Sequence, residues 1–332
     1  MPTGSASASA SARARARASF RAAYDTALGQ WPGRVEAVEL PTPYGLTRVN
    51  SCGPLSAPPL VLLPGGGATS AVWGACAAAG LARGHRVHAV DLVGDPGLSV
   101  PAPGRPVRTT GDLVGWLDAV LDALLGEAGG PGRQALTLGG HSYGAWIAAH
   151  YAAHYAARNA VPGATHSAAR SGSQPAARSG SQPASRDGAR LGRLVLLDPT
   201  QVFTGLRPGY VLRALPMLVR PTPRRIRSFL AWETGGAALD PAWLRLQDET
   251  ARFPAVRPVT GPRPDLAGVS GPGELPVHVL FAERARCHDA ARAARAAAAA
   301  LPGARIDVLS GVSHHGLPLT AAEEIARRLV QG

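Results

Sequence analysis

Short apolar runs closed by glycine or proline alternate along this chain with longer segments of helical pattern, and that rhythm restricts the fold more than any other feature. "PPLVLLPGGG" stops on its glycines, and "HRVHAVDLV" from His85, "QALTLGG" and "LGRLVLLDP" from Leu191 follow at intervals long enough for a helix between each pair. Apolar runs bounded by such breakers suit strands buried on both faces. Strands alternating with helices imply a mostly parallel sheet with helices on both sides, an α/β fold. Ahead of these, "RVEAVEL" and "LTRVNSC" flank "PTPYG", a hairpin that gives the sheet an antiparallel edge. A helix is expected from about Thr69 to Arg83, and another over "TGDLVGWLDAVLDALLGEAG" from Thr110. The alternation resumes with "LPVHVLFAE" from Leu275, a helix from His288, the strand "ARIDVLSG" and a last helix from about Thr320.

Three segments stand outside that rhythm. Residues 199–275, after the sixth strand, are rich in Pro, Arg and Trp with helix-like pieces, and are expected to form a helical insertion. "ARSGSQPA" at Ala169 repeats unchanged at Ala177. Such a Ser, Gly, Gln and Pro tandem has too little apolar surface to fold, so residues 161–190 read as a disordered loop. Residues 1–19, rich in Arg, Ala and Ser, read as a disordered tail before a short helix that starts at Phe20 and closes by Pro32. The core is then 20–198 with 276–332.

The net charge of +12 would suit a nucleic-acid partner, but all the basic side chains are arginine and no recognition motif accompanies them. An arginine- and alanine-rich composition points instead to a GC-rich bacterial genome, and no specific nucleic-acid binding is expected. The three cysteines, Cys52, Cys76 and Cys287, are widely spaced with no CxxC, which argues against a disulfide framework or a zinc site and fits a cytoplasmic location. No apolar run reaches the ~18 residues of a membrane span. The amino-terminal stretch has no apolar signal region.

Gly140-His141-Ser142-Tyr143-Gly144 carries the chemistry, because it falls where a strand turns into a helix. A turn that sharp brings backbone close on both sides of Ser142, hence the glycines. The serine is lifted to the carboxyl edge of the sheet, where open α/β sheets bind ligands. Its hydroxyl needs a base to act as a nucleophile. His314, just after the last strand in "VLSGVSHHGLP", is the candidate, with His315 as rival. His150 and His154 are spaced like metal ligands on a helix but lack the glutamate of HExxH, so no metal is assigned. The glycine loop of "LLPGGGATSAVW" offers backbone N–H groups for an oxyanion, that of Gly66 first, paired with that of Tyr143. It lacks the lysine of a phosphate-binding loop, and no cofactor is expected.

With the glycine loop, "VDLVGDPGLS", the elbow at Ser142 and "SGVSHHGLP" in this order, residues 34–330 resemble the α/β-hydrolase fold superfamily. The resemblance implies a cofactor-independent serine hydrolase, most simply a carboxylesterase acting on a small-molecule acyl substrate, with residues 199–275 as its lid. Thioester, lactone or C–C bond hydrolysis would use the same triad. A non-catalytic ligand-binding relative is the alternative of another class. Two departures accompany the resemblance. The His-Gly of the family's oxyanion loop reads Pro64-Gly65, and the family's usual acid position reads Ala285. A histidine base needs a carboxylate, and Asp198, at the end of "LVLLDPT", is favoured for it over Asp289, with Glu283 third. Arg220, Arg224, Arg225 and Arg227 beside Trp232 and Trp243 give the insertion a basic character.

Overall fold

The computed structural model describes residues 4–125, 135–159, 191–253, 258–269 and 275–330. Its strands are β1 (Glu36–Thr42), β2 (Gly45–Cys52), β3 (Pro59–Leu63), β4 (Arg86–Val90), β5 (Leu136–His141), β6 (Leu191–Leu197), β7 (Val277–Ala282) and β8 (Arg305–Leu309). They lie in one sheet in the order β1-β2-β4-β3-β5-β6-β7-β8, with the two-residue strand Val100–Pro101 beside β2. The β1–β2 hairpin and the β2–β4 pairing are antiparallel. Every pairing from β4 onward to β8 is parallel.

Alternate residues of the central strands feed two cores, one on each face. In β3, Val61 and Leu63 join one cluster while Leu60 and Leu62 join the other; in β6, Leu194 and Leu196 oppose Val195 and Leu197 in the same way. The principal helices are α1 (Gly4–Leu28), α2 (Thr110–Leu125), α3 (Tyr143–Asn159), α4 (Pro208–Val219), α5 (Pro223–Glu233), α6 (Pro241–Thr250), α7 (Ala290–Ala300) and α8 (Ala322–Val330). Helices α2 and α3 cover the first core, and α8 covers the second together with Trp73 and Leu81.

Two expectations are corrected. The segment after β3 is not one helix: it is broken into short turns, and Gly80 takes φ +128°, which glycine alone reaches without strain. The tail is not irregular either, because α1 starts at Gly4 and runs unbroken to Leu28. Alanine and arginine are strong helix formers, so an Ala/Arg run joined to a packed helix continues it. The packed part still begins at Phe20, which with Ala23, Tyr24 and Ala27 meets Leu246 of α6. The expected disordered loop 161–190 lies outside the described residues.

Helices α4 to α6 lie in the insertion between β6 and β7. Each starts with proline in its first turn, where the missing N–H costs nothing. Thr222 and Asp240 cap α5 and α6 by accepting from Arg225 N at 3.3 Å and Trp243 N at 2.7 Å. Ile226, Leu230 and Trp243 anchor the insertion in the second core. Among the described residues, no helix is long and apolar enough to cross a membrane.

Candidate active site at the carboxyl edge

β5 ends at His141 and α3 starts at Tyr143, leaving Ser142 as the turn. It holds φ +53°, in the left-handed region that strains a residue bearing Cβ. A Cβ on Gly140 would lie 2.4 Å from the Gly144 carbonyl, and one on Gly144 would lie 2.4 Å from Pro64 O. No other residue fits at either place. The Ser142 N–H donates to Leu197 O at 3.0 Å, tying the turn to the end of β6.

The loop after β8 brings His314 over this turn. Its Nε2 lies 2.8 Å from Ser142 Oγ, and its Nδ1 lies 2.5 Å from Asp198 Oδ2. A carboxylate can only accept, so Nδ1 carries the proton and Nε2 presents its lone pair to the hydroxyl. Asp198, the residue after β6, sits at φ +42° with its N–H donating to Leu280 O at 2.7 Å.

The other oxygen of Asp198 is equally engaged. Oδ1 accepts from His288 Nε2 at 2.9 Å and from Ala282 N at 3.0 Å. Burial alone would push this fully enclosed carboxyl up; the hydrogen bonds from His288 and His314 outweigh it and hold Asp198 well below the usual carboxylate range.

A second buried carboxylate reaches the histidine loop from the insertion. Glu233, the last residue of α5, accepts from the backbone N–H of His314 at 3.1 Å and of His315 at 3.0 Å. Burial raises its pKa, but His315 and His314 bring it down to about 2. His315 Nδ1 stands 3.2 Å from Glu233 Oε2 without hydrogen-bond alignment. His141 completes the frame: its Nε2–H donates to His314 O at 3.0 Å. Burial, then the neighbouring His314 and His315, keep its pKa well below the ordinary value, so the ring is neutral.

The glycine loop lies against the elbow. A Cβ on Gly65 would stand 3.0 Å from His141 Nδ1 and 3.4 Å from Ser142 Cβ, and one on Gly66 would stand 3.6 Å from Tyr143 Cβ. Gly67 N–H donates to Asp95 Oδ2 at 3.0 Å, which fixes the loop from the segment after β4. Burial raises the Asp95 carboxyl to about 6, partly offset by that N–H.

The sequence pattern of the alpha/beta hydrolase family matches residues 60–328. The chain belongs to that family. Among curated relatives it is 38% identical over 105 residues to carboxylesterase YbfK of Bacillus subtilis (strain 168), a stretch covering 32% of this chain and 34% of that one. The chain thus matches about a third of the length of this relative. Its fold is shared more widely. The crystal structure of the same carboxylesterase superposes with a TM-score of 0.75 at 22% identity, covering 96% of this chain and 98% of the other. That of a naproxen esterase from Bacillus subtilis gives 0.71 at 21%, covering 94% and 96%.

Against the family's pattern, the acid position after β7 is occupied by Ala285, which is buried. The rival carboxylates nearby are engaged elsewhere. Asp289 caps α7 by accepting from Arg292 N at 2.9 Å and pairs with Arg207 at 3.2 Å. Glu283 accepts from Gly311 N at 2.7 Å. His150 Nε2 lies 3.2 Å from Pro262 O. Donor atoms of Asp198, Cys287 and His314 do lie within 4.8 Å of one another, a spacing that could hold a metal. The donors do not favour it: His314 Nδ1 is committed to Asp198, and burial pushes the Cys287 thiol well up, so it stays protonated. Neither His288 nor Glu233 stood out in the sequence. The only sign of His288 was its closeness to Ala285 in "FAERARCHDA".

Proposed function

We propose that the chain is a serine carboxylesterase in which Ser142 is the nucleophile, His314 the base and Asp198 the acid. The observation that carries this reading is the position of one imidazole, with Nε2 2.8 Å from the serine oxygen and Nδ1 2.5 Å from the carboxylate. Ser142 Oγ attacks the ester carbonyl carbon while His314 Nε2 takes its proton. The backbone N–H groups of Gly66 and Tyr143 receive the developing oxyanion; Tyr143 heads a helix, where first-turn N–H groups have no intrahelical partner. His314 then protonates the leaving alcohol, and water, activated by the same nitrogen, releases the acid from the acyl-enzyme.

Other residues hold this geometry. His288 and Ala282 N–H fix the carboxylate of Asp198, and Glu233 with His141 fixes the backbone of the histidine loop. Residues 199–275 act as a cap, a reading supported by the Glu233 link from α5 to His314. A reducing, cytoplasmic setting is supported by three buried cysteines that are free. A non-catalytic alternative would rest on Ala285 standing where the resemblance places the acid; Asp198, 2.5 Å from His314 Nδ1, favours the catalytic reading over it. The test is hydrolysis of short p-nitrophenyl esters by the full chain and by Ser142→Ala. Turnover lost in a variant with unchanged circular dichroism supports the reading, and undiminished turnover overturns it.

A further inference from the structure

The outward face of α4 is built unlike the rest of the surface. Val211, Leu212, Leu215, Leu218 and Val219 are between 41% and 71% exposed. At about 100° per residue, these five positions fall within an arc of roughly 120° on one side of the helix. They are not misplaced core, since the opposite side already packs inward. Ala214 is buried, and the Tyr210 ring meets Phe229 of α5 at 5.5 Å. Single exposed leucines are ordinary on a protein surface, but a continuous row marks a contact surface.

Cationic groups line the side of the same helix that faces α5 and continue past its C-terminal end. A cleft of about 270 Å³ between α4 and α5 is lined by Arg213, Arg224 and Arg225 with Thr222 and Ser228. Arg213 is oriented by Ser228 O and Oγ at 3.1 and 2.8 Å, and Arg225 by Pro216 O and Arg220 O at 3.1 and 2.9 Å. The ion pairs of this region join Arg207 to Asp289, Arg227 to Asp248, and Arg245 and Arg252 to Glu249. Among the described residues, none reaches Arg213, Arg220, Arg224 or Arg225.

We propose that this face docks the protein on a lipid surface carrying anionic phosphate headgroups, with the apolar row at the acyl boundary and the arginine cleft on the headgroups. An apolar stripe flanked by arginines matches both layers of such a surface. Nucleic acid would engage the arginines and leave the leucines in water. A second copy would cover the apolar row without supplying the anionic phosphates that suit arginines lacking a carboxylate partner.

Co-sedimentation of the full chain with vesicles tests the proposal. Binding should appear with phosphatidylcholine–phosphatidylglycerol vesicles, be weak with phosphatidylcholine alone, and fall with added salt. Free inorganic phosphate at matched ionic strength should not displace it beyond the effect of salt. Replacing Leu212→Glu with Leu215→Glu should reduce partition at least tenfold, and Arg220→Ala and Arg224→Ala about fivefold each. All four side chains are exposed, so circular dichroism should be unchanged. Because binding needs no turnover, Ser142→Ala should bind as the parent does, which separates this proposal from the esterase reading. Equal binding to both vesicle types, no binding at all, or a leucine variant that binds undiminished overturns it. So does sedimentation equilibrium that finds a dimer dissociated by Leu212→Glu, which would give the face to self-association.

Discussion

The ends of β6 and β7 are neighbours in the sheet and both lead toward His314, yet they treat their acidic residues in opposite ways. Asp198, directly after β6, is fully enclosed and receives three donors, two of them imidazoles. Asp289, in the segment after β7, is half exposed, caps a helix and pairs with an arginine. The segment after β7, where the resemblance to the family places the acid, instead supplies His288 as a donor to Asp198. A carboxylate serves a histidine where donors converge to keep it charged, and adjacent strand ends can exchange that duty if the imidazole is within reach of both.

The largest expected effect that can break this comparison is at Asp198. Asn is nearly isosteric, so Asp198→Asn removes the charge and its control of the tautomer, and kcat should fall by ~10⁴. An activity within tenfold of the parent would return the acid to the β7 side. His288→Phe keeps the ring volume and deletes the donor. A hydrogen bond to a charged group is worth about 1.5–3 kcal/mol, so kcat should fall roughly 10- to 100-fold with KM little changed, and His288→Gln, which keeps an N–H, should recover part of it. Equal effects of both substitutions on melting temperature and none on kcat would make His288 packing alone.

Glu233 sharpens the contrast from the side of the cap, and its effect is on stability. Its folded pKa lies at about 2, below the ordinary value of 4.5. The stabilisation is therefore complete above pH 4.5 and is lost as the pH falls from there toward 2. The melting temperature of the parent should drop through that window, and Glu233→Gln should start lower at neutral pH and drop less. Parallel curves for the two proteins would contradict the link. The smallest effect is expected at Asp289. Asn is also a good helix cap, so Asp289→Asn should cost less than tenfold in kcat, and a dead variant would reverse the ranking of the two acids.

How much of this was legible in the sequence depends on how local the constraint is. Ser142 was, because two glycines and a strand-to-helix change within five residues leave one backbone path, and Gly140 and Gly144 have no room for a Cβ. The position of His314 followed from the order of strands. The choice between Asp198 and Asp289 did not, since sequence separation says nothing of reach across two strand ends. His288 and Glu233 act on partners 90 and 81 residues away, with no periodic signal to announce them. Low complexity misled at the amino terminus, where a repetitive Ala/Arg composition read as disorder is also strongly helix-forming. The break at Gly80 was hidden inside an alanine-rich run that otherwise reads as continuous helix.

The central claim is that Ser142 is a nucleophile activated by His314. It is tested most directly by treating the folded chain with a fluorophosphonate, followed by peptide mass analysis. One adduct per chain, on Ser142, is expected, with labelling lost in Ser142→Ala and slowed by orders of magnitude in His314→Gln. A folded chain that takes no label, or takes it on another residue, contradicts the account.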